Sequence, residues 1–241
     1  MIPLVHDFTD QTVLVFGGGT VGERKARRFA AEARVVVVSP EFTDALAGTA
    51  TAREATHETW RPSGEGPGIE LVRDAPTADT VSGWVDRVDP TLVVAATDVE
   101  AVNEAAAAAA RSRKVLVNRT DRAGGRDAGS VVVPATVDDG SVSVAVTTGG
   151  ASPALSKYLR ERLEADLAGA GAMADLTRDL RTDLKTRDLT PGERRAAMRR
   201  VVRSSRVWKA LRTGATNARK VAEDVIRIET TNPSERERED S

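Results

Sequence analysis

Three glycines that follow a short apolar run have the spacing that brings a backbone against a pyrophosphate group. The run Val13–Phe16 leads directly into Gly17, Gly19 and Gly22. In such a loop the first glycine makes a tight turn, the second lets the backbone approach the phosphates, and the third lets the next helix pack closely. The helix N-terminus then faces the anion. The spacing predicts a dinucleotide site, although glycines also occur in tight turns that bind nothing.

Two polar loops further along the chain also follow apolar runs and could contribute to the same site. Ala95–Asp98 follows one predicted strand, and Asn118–Asp121 follows the next. Because ligands of open parallel sheets bind beyond the carboxyl ends of the strands, these loops and the glycine loop are the candidate site segments.

The residues after the second predicted strand bear on the choice of cofactor. An acidic residue is expected there to bind the ribose hydroxyls, but the sequence reads Val38-Ser39-Pro40-Glu41, with the acid two residues late. Two alternatives stay open: Ser39 and its backbone bind the adenosine, or Glu41 reaches round a turn that starts at Pro40. No arginine cluster follows to receive a 2′-phosphate, so the sequence favours NAD over NADP.

The elements that must position these loops alternate between strand and helix. Val13–Phe16 and Arg34–Val38, with its four consecutive valines, read as buried parallel strands around a helix at Val21–Ala33. Further strands are predicted at Ile69–Val72, Thr91–Ala96 and Val115–Val117, and further helices at Glu41–Ala52, Ala78–Val85 and Val99–Arg113. This order implies an open parallel sheet with right-handed crossovers.

From Gly129 onward the pattern changes. Ser130–Pro134 and Ser141–Thr147 read as two strands joined by a turn at Val137–Gly140. Helices follow: Ser152 caps one that begins at Pro153, and a capping box at Thr190 opens a long helix through Arg212.

We therefore predict an α/β fold with a Rossmann-type parallel sheet, a small β dimerisation region and a C-terminal helical domain. The predicted domains are an NAD-binding domain at 1–128, a β dimerisation segment at 129–152, a helical domain at 153–229 and a disordered polar tail at 230–241.

Composition narrows the function classes. The 241 residues include no cysteine, which excludes disulfides and cysteine-ligated metals and fits a reducing cytoplasm. We expect a cytoplasmic protein without a membrane span, because no apolar run approaches the required length. Lys plus Arg is 35 and Asp plus Glu is 36, which argues against a nucleic-acid binder. His6 and His57 lack companions at ligand spacing, so no metal site is expected.

Four blocks of the sequence occur together in the order of one enzyme family. They are Gly17–Arg27, Ala95–Asp98 with Val102-Asn103, Asn118–Asp121, and Val144–Pro153 with its Gly-Gly-x-Ser-Pro turn. They resemble the precorrin-2 dehydrogenases, which also form the N-terminal part of siroheme synthases. The resemblance runs from about Leu4 to Leu167. It implies oxidation of precorrin-2 to sirohydrochlorin with NAD and, in some members, insertion of ferrous iron to give siroheme.

The resemblance also implies a role for each matched residue. Asp121 would be the catalytic carboxylate, removing a proton as the hydride leaves, or accepting pyrrole protons and steering iron in chelation. The residues implied for cofactor binding are Gly17, Gly19, Thr20, Val21, Gly22, Ser39, Pro40, Glu41, Ala96, Thr97 and Asp98. Those implied for the polycarboxylate substrate are Asn118, Arg119, Arg122, Arg126, Thr148, Gly149, Gly150 and Lys157, with Arg160 nearby.

Several of these residues could instead have a purely structural role. Asp121 could cap a turn, the arginines could form a solvated face, and Thr148 and Ser152 could be turn and cap residues. The chain also departs from the family, because the loop at residues 122–130 is longer than usual and aliphatic residues precede Pro134.

Two other function classes remain as alternatives. An NAD-binding regulatory domain, similar to those that gate potassium transport, would carry an acid at the end of the second strand and no Gly-Gly-x-Ser-Pro turn. A dehydrogenase acting on hydroxy acids would place a histidine or lysine in the site. We expect an NAD-dependent enzyme of the resembled family, as a homodimer, because its amphipathic elements offer more apolar surface than one small domain needs.

Overall fold

The computed structural model describes residues 3–64, 66–121, 129–213 and 215–227. The chain divides into two compact units between Val133 and Pro134. The first unit extends past the expected boundary at residue 128, because Val131 and Val133 pack against its core. The tail predicted at 230–241 lies outside the described residues. None of the described helices is long and apolar enough to cross a membrane.

A six-stranded parallel sheet organises the first unit. Its strands are β1 (Thr12–Gly18), β2 (Arg34–Phe42), β3 (Arg53–Glu54), β4 (Gly68–Arg73), β5 (Leu92–Ala95) and β6 (Leu116–Arg119). Its helices are α1 (Thr20–Phe29), α2 (Asp44–Ala47), α3 (Val81–Val88) and α4 (Glu100–Ser112). The strand order is β3-β4-β2-β1-β5-β6. This order confirms the predicted Rossmann-type sheet. Strands β2, β4 and β3 lie on one side of β1, and β5 and β6 lie on the other, so the strand order reverses beside β1. Such folds bind ligands at this reversal.

Apolar layers cover both faces of this sheet. Leu14 and Phe16 face a cluster that contains Trp60 and Trp84, while Val13 and neighbouring strand residues face a second cluster. Burial on both faces explains why β1 and β2 are continuous apolar runs rather than alternating ones.

The connection from α1 through β2 differs from the prediction. Helix α1 ends at Phe29 rather than Ala33, because a turn closed by hydrogen bonds to Phe29 O leads into β2. Strand β2 then runs through Pro40 to Phe42, so the prediction of a turn starting at Pro40 was wrong. An irregularity in the pairing, where Val38 to Phe42 of β2 lie opposite Phe16 to Gly18 of β1, lets Gly18 pair with Phe42 and carries β2 along the glycine loop. The following helix is consequently short and is capped by Thr43.

The second unit begins with a hairpin and continues as helices. Its strands are β7 (Ala135–Asp139) and β8 (Val142–Val146), which pair antiparallel. Its helices are α5 (Pro153–Asp166), α6 (Ala170–Lys185), α7 (Pro191–Arg203), α8 (Ser205–Thr213) and α9 (Ala215–Arg227). The helical C-terminal region is therefore confirmed.

Two details of the chain after residue 129 correct the sequence prediction. The predicted strand Ser130–Pro134 is absent as a strand among the described residues, and the hairpin turns at Gly140, whose φ is +58°. The long helix predicted through Arg212 is interrupted at Ser204, whose extended backbone separates α7 from α8. The caps at Ser152 and Thr190 are confirmed, since each accepts a hydrogen bond from a backbone N–H of its helix.

Candidate functional site

The glycine loop has close contacts that require two of its glycines. Gly17 has φ +108°, and a Cβ there would overlap Ala96 O, so the turn lies directly against the end of β5. A Cβ at Gly22 would overlap Gly17 O, so α1 packs onto the turn itself. A Cβ at Gly19 would meet no heavy atom within 4 Å. Gly19 thus borders open space at the N-terminus of α1, as expected where a phosphate approaches the backbone.

Gly18 is a third required glycine, which the sequence interpretation did not assign. Its Cβ would overlap Glu41 O and lie 2.7 Å from Cδ1 of Phe42, because β2 extends beside the loop. The signal available in the sequence was the unbroken Gly-Gly-Gly run.

The end of β2 presents its three candidate adenosine-binding residues differently. Ser39 is buried, whereas Pro40 and Glu41 are exposed. Arg73, at the end of the neighbouring strand β4, donates to Pro40 O over 2.7 Å. Its guanidinium also pairs with Glu54 at 3.0 Å. The sheet therefore brings Arg73 to this position, and Arg73 already has an acidic partner.

The loop after β5 is fixed by a buried carboxamide, Asn103 on α4. Asn103 Oδ1 accepts from Thr97 N at 3.1 Å and lies 2.8 Å from Thr97 Oγ1, while its Nδ2 donates to Thr97 O at 2.9 Å. Asn103 is 1% exposed. The sequence interpretation gave it no role, although it lies in one of the four matched blocks.

Asp121 is held by a bidentate ion pair with Arg119. Arg119 Nε donates to Oδ1 at 3.0 Å and Nη2 to Oδ2 at 2.6 Å, and Nη1 pairs with Glu104 on α4. The Arg119 side chain is 7% exposed and that of Asp121 is 24% exposed. The hydrogen bonds from Arg119 lower the pKa of Asp121, with a smaller contribution from Asn103. The same pairing raises the pKa of Arg119.

Asn118 is a buried residue with an unused acceptor. It is 6% exposed, and its Nδ2 donates to Val131 O at 2.8 Å. Its Oδ1 has no hydrogen-bond partner among the described residues. Such a buried acceptor is costly when left unpaired, so it is a candidate for a ligand donor.

Contacts within the first unit join the predicted segments into one edge of the sheet. Gly17 meets Ala96, Thr97 is bound by Asn103, and Asn103 contributes to the environment of Asp121. Thr120 N also donates to Ala95 O at 3.0 Å, which extends the pairing of β6 with β5. The structure therefore brings together the glycine loop, the loop that follows β5 and the residues that follow β6. Arg122 and Arg126 lie outside the described residues.

The remaining predicted substrate residues form a local cluster within the second unit. Thr148 Oγ1 lies 3.1 Å from Ser156 Oγ and accepts from Ser152 N at 3.2 Å. Gly149 and Gly150 have φ values of +66° and +92°, which favour glycine. Lys157 is exposed and lies 3.9 Å from Glu161, and Arg160 pairs with Glu164 at 2.8 Å.

Comparison with known proteins gives matches along most of the chain. Residues 4–135 match a family described as putative NAD(P)-binding, and residues 139–166 match the sirohaem biosynthesis protein central family. A precorrin-2 dehydrogenase of Methanosarcina barkeri is 32% identical over 212 residues, which are 86% of this chain and 85% of the relative.

Longer proteins and one solved structure also match. Siroheme synthase 1 of Aeromonas salmonicida is 32% identical over 95% of this chain, but the chain spans only 45% of that protein. A solved structure of SirC, a precorrin-2 dehydrogenase, superposes with a TM-score of 0.63 at 20% identity, covering 93% of this chain and 98% of that one. This structural likeness concerns the fold.

Proposed function

The chain belongs to the family of precorrin-2 dehydrogenases and siroheme synthases, and we propose on that premise that it oxidises precorrin-2 to sirohydrochlorin with a nicotinamide cofactor. The substrate loses a hydride and a proton in this reaction. The observation that carries the proposal is the continuous set of contacts from the glycine loop through Ala96, Thr97 and Asn103 to an ionised Asp121.

We propose that NAD is the preferred cofactor and that it accepts the hydride when bound. The glycine loop would hold its pyrophosphate, Ser39 to Glu41 its adenosine ribose, and Ala96 to Asp98 its nicotinamide side. Arg73, which the sheet brings to the end of β2, is engaged by Glu54 and by Pro40 O. A 2′-phosphate would have to displace these partners, which supports NAD over NADP.

Asp121 acts in this proposal chiefly through its negative charge. Departure of a hydride leaves positive charge on the tetrapyrrole, and a carboxylate beside it stabilises that charge. The carboxylate is ionised at neutral pH, and because Arg119 lowers the pKa of Asp121 it is a weaker base than a free aspartate. The proton that the substrate loses then passes to water.

Arg119 serves Asp121 as a positioning residue in this proposal rather than binding the substrate. Its Nε and Nη2 donate to Asp121, and its Nη1 donates to Glu104. Glu104 thus fixes the guanidinium, which fixes the carboxylate. The assignments of Asn118, Thr148, Gly149, Gly150 and Lys157 to the substrate remain predictions.

Insertion of ferrous iron is a second candidate activity. The ionised Asp121 that stabilises positive charge is also suited to attract the incoming ferrous iron, while the pyrrole protons that iron displaces pass to water. Iron enters here as a substrate, so ferrous iron added to the anaerobic assay mixture after dehydrogenation tests this activity by the appearance of siroheme absorbance.

The deciding experiment is an anaerobic assay with precorrin-2 and either NAD or NADP, following reduced cofactor and the sirohydrochlorin spectrum. We expect turnover with NAD, and a loss in kcat of roughly 10²–10³-fold for Asp121→Asn with NAD binding retained. Asp86→Asn is the matched control, because Asp86 also pairs with an arginine, Arg113, but lies outside the site. A folded wild type that binds NAD without turnover would favour the regulatory-domain alternative.

A further inference from the structure

The whole chain has a near-neutral charge, but its C-terminal helical segment is strongly basic. Residues 170–227 contain 15 Lys and Arg and 7 Asp and Glu, a formal charge of +8, whereas the whole chain has −1. Helices α6 to α9 occupy this segment. A segment so different in charge from the rest of its chain is expected to meet an anionic partner.

The basic side chains converge on a cavity between α6 and α7. The cavity has a volume of about 480 Å³, within the usual size of small-molecule sites. Leu184, Pro191 and Met198 give it an apolar lining. Its cations are Arg181, Lys185, Arg194, Arg195 and Arg199. No carboxylate lines it among the residues that the structure describes.

These five cations are not neutralised by the protein in the part of the chain that the structure describes. Arg178, three residues before Arg181 on α6, shows the contrast, because it pairs with Asp175 at 2.7 Å. Arg181 and Lys185, like Arg195 and Arg199, are four residues apart on one helix, where like charges repel. The arrangement therefore opposes helix stability and would be relieved by a bound polyanion.

We propose that this cavity is a binding site for a polycarboxylate with a flat apolar ring, the chemistry of the tetrapyrroles on which the enzyme acts. The ring would contact the apolar lining, and the peripheral carboxylates would receive charge-assisted hydrogen bonds from the guanidinium groups. The site belongs wholly to the second unit, and the identity of its ligand rests on the proposed function. A concave apolar lining suits a compact ring better than an extended nucleic-acid backbone.

The test is a fluorescence titration of the full-length protein with uroporphyrin III, a stable polycarboxylate tetrapyrrole. We expect Arg195→Glu/Arg199→Glu to raise the Kd roughly tenfold or more, since it replaces two attractive charges with two repulsive ones. Arg206→Glu/Arg212→Glu is the matched control, because both arginines are exposed on α8, outside the cavity lining. We expect the Kd of this control to stay within about twofold of the wild-type value, because solvent and salt screen exposed charges that lie away from the ligand.

Folding is checked by thermal melting, and Arg195→Gln/Arg199→Gln supplies a neutral version that avoids repulsion. Equal Kd values for the cavity variant and the control would overturn the proposal, as would a wild type that fails to bind uroporphyrin III. Displacement of the porphyrin by an equal concentration of duplex DNA would assign the cavity to nucleic acid instead. Precorrin-2 turnover by the wild type is measured separately, so a failed dehydrogenase assay with intact porphyrin binding overturns only the proposed function.

Discussion

The charged form of Asp121 is stabilised by a residue that lies two positions before it in the chain. The bidentate bonds from Arg119 stabilise the charged form of the carboxylate, and Glu104 holds Arg119 from the other side. The pKa of Asp121 is therefore low, so the group is charged above that pKa and loses its charge as the pH falls through it.

Arg119→Lys should move the acid limb of the pH profile upward. A lysine ammonium cannot form two parallel bonds to the carboxylate, so the pKa of Asp121 rises towards its ordinary value. At neutral pH the carboxylate stays charged in both proteins, so we expect kcat/KM to fall roughly tenfold there through its looser positioning. We expect the acid limb itself to lie at a higher pH than in the wild type. The pH dependence of kcat/KM measures this, with Arg113→Lys as control. An acid limb that stays in place would show that Arg119 does not set the charge of Asp121.

Substitutions of Gly19 and Gly22 should have different effects: one should weaken cofactor binding, and the other should lower the free energy of unfolding. Gly22→Ala forces a Cβ onto Gly17 O, so we expect it to lower the free energy of unfolding by about 1–3 kcal/mol. Gly19→Ala meets open space, and Gly19 has φ −76°, so stability should change by less than about 0.5 kcal/mol. Its methyl group would obstruct the phosphate, and we expect the NAD Kd to rise roughly tenfold. Urea unfolding and NAD titration test both changes, and unchanged NAD affinity in Gly19→Ala would contradict the assigned pyrophosphate position.

Residue types and spacing were sufficient to predict a tight turn at Gly17 and close helix packing at Gly22, because the φ of Gly17 and the contact of Gly22 with Gly17 O belong to the local turn between strand and helix. They were insufficient for Gly18, whose requirement comes from Glu41 and Phe42 on another strand. The pairing of Arg119 with Glu104 was missed for the same reason, since it joins β6 to α4. Charge alone predicted only that Arg119 would meet an anion.

At the scale of elements, the connection from β5 to α4 depends on one side chain. Asn103 occupies a helical position but satisfies three polar groups of Thr97 in the loop before the helix. These hydrogen bonds restrain the loop that carries the candidate nicotinamide contacts.

Asn103→Ala should loosen this loop and destabilise the first unit. Removing the carboxamide leaves the Thr97 N–H and C=O without these partners, which costs about 1–3 kcal/mol in free energy of unfolding. Asn217→Ala, at an exposed position of α9, is the matched control and should change it by less than about 0.5 kcal/mol. Chemical denaturation measures both values. A loss in Asn103→Ala no larger than in the control would mean that the network contributes little.

The patterns of apolar residues and the helix-capping signals predicted most helices and strands, but not every boundary between them. Ser130–Pro134 has the apolar character of a strand because Val131 and Val133 pack against the first unit's core, not because they form a hairpin. The interruption at Ser204 depends on the packing of α8, where Val207 is fully buried and Trp208 donates to Val202 O. Such tertiary contacts leave no periodic signal in the sequence.

At the scale of the whole molecule, α5 presents apolar side chains that its own unit leaves accessible. Leu155 is 46% and Tyr158 is 54% exposed, and none of the fourteen residues of this described helix is buried. Clustered exposed apolar residues mark association surfaces, so we propose that α5 contributes to a homodimer.

Light scattering at micromolar concentration should give the mass of a dimer. Leu155→Glu/Tyr158→Glu places two charges on one face of α5 and should shift the protein towards monomer. Val202→Glu changes a similarly exposed residue of α7, 44% accessible, and should leave the mass unchanged. A monomeric wild type, or equal behaviour of the two variants, would contradict the proposal.

The two outer strands of the parallel sheet have a consequence for aggregation. An uncovered edge strand is a template for pairing with other chains. Strand β3 is only two residues long, and β6 is met by the chain returning at Ser130, with Val131 N donating to Val117 O at 2.8 Å. Asn118 reinforces this cover through Val131 O. The segment that follows the Asp121 loop thus protects β6 from intermolecular strand pairing, and a chain cut short before Ser130 would expose that edge.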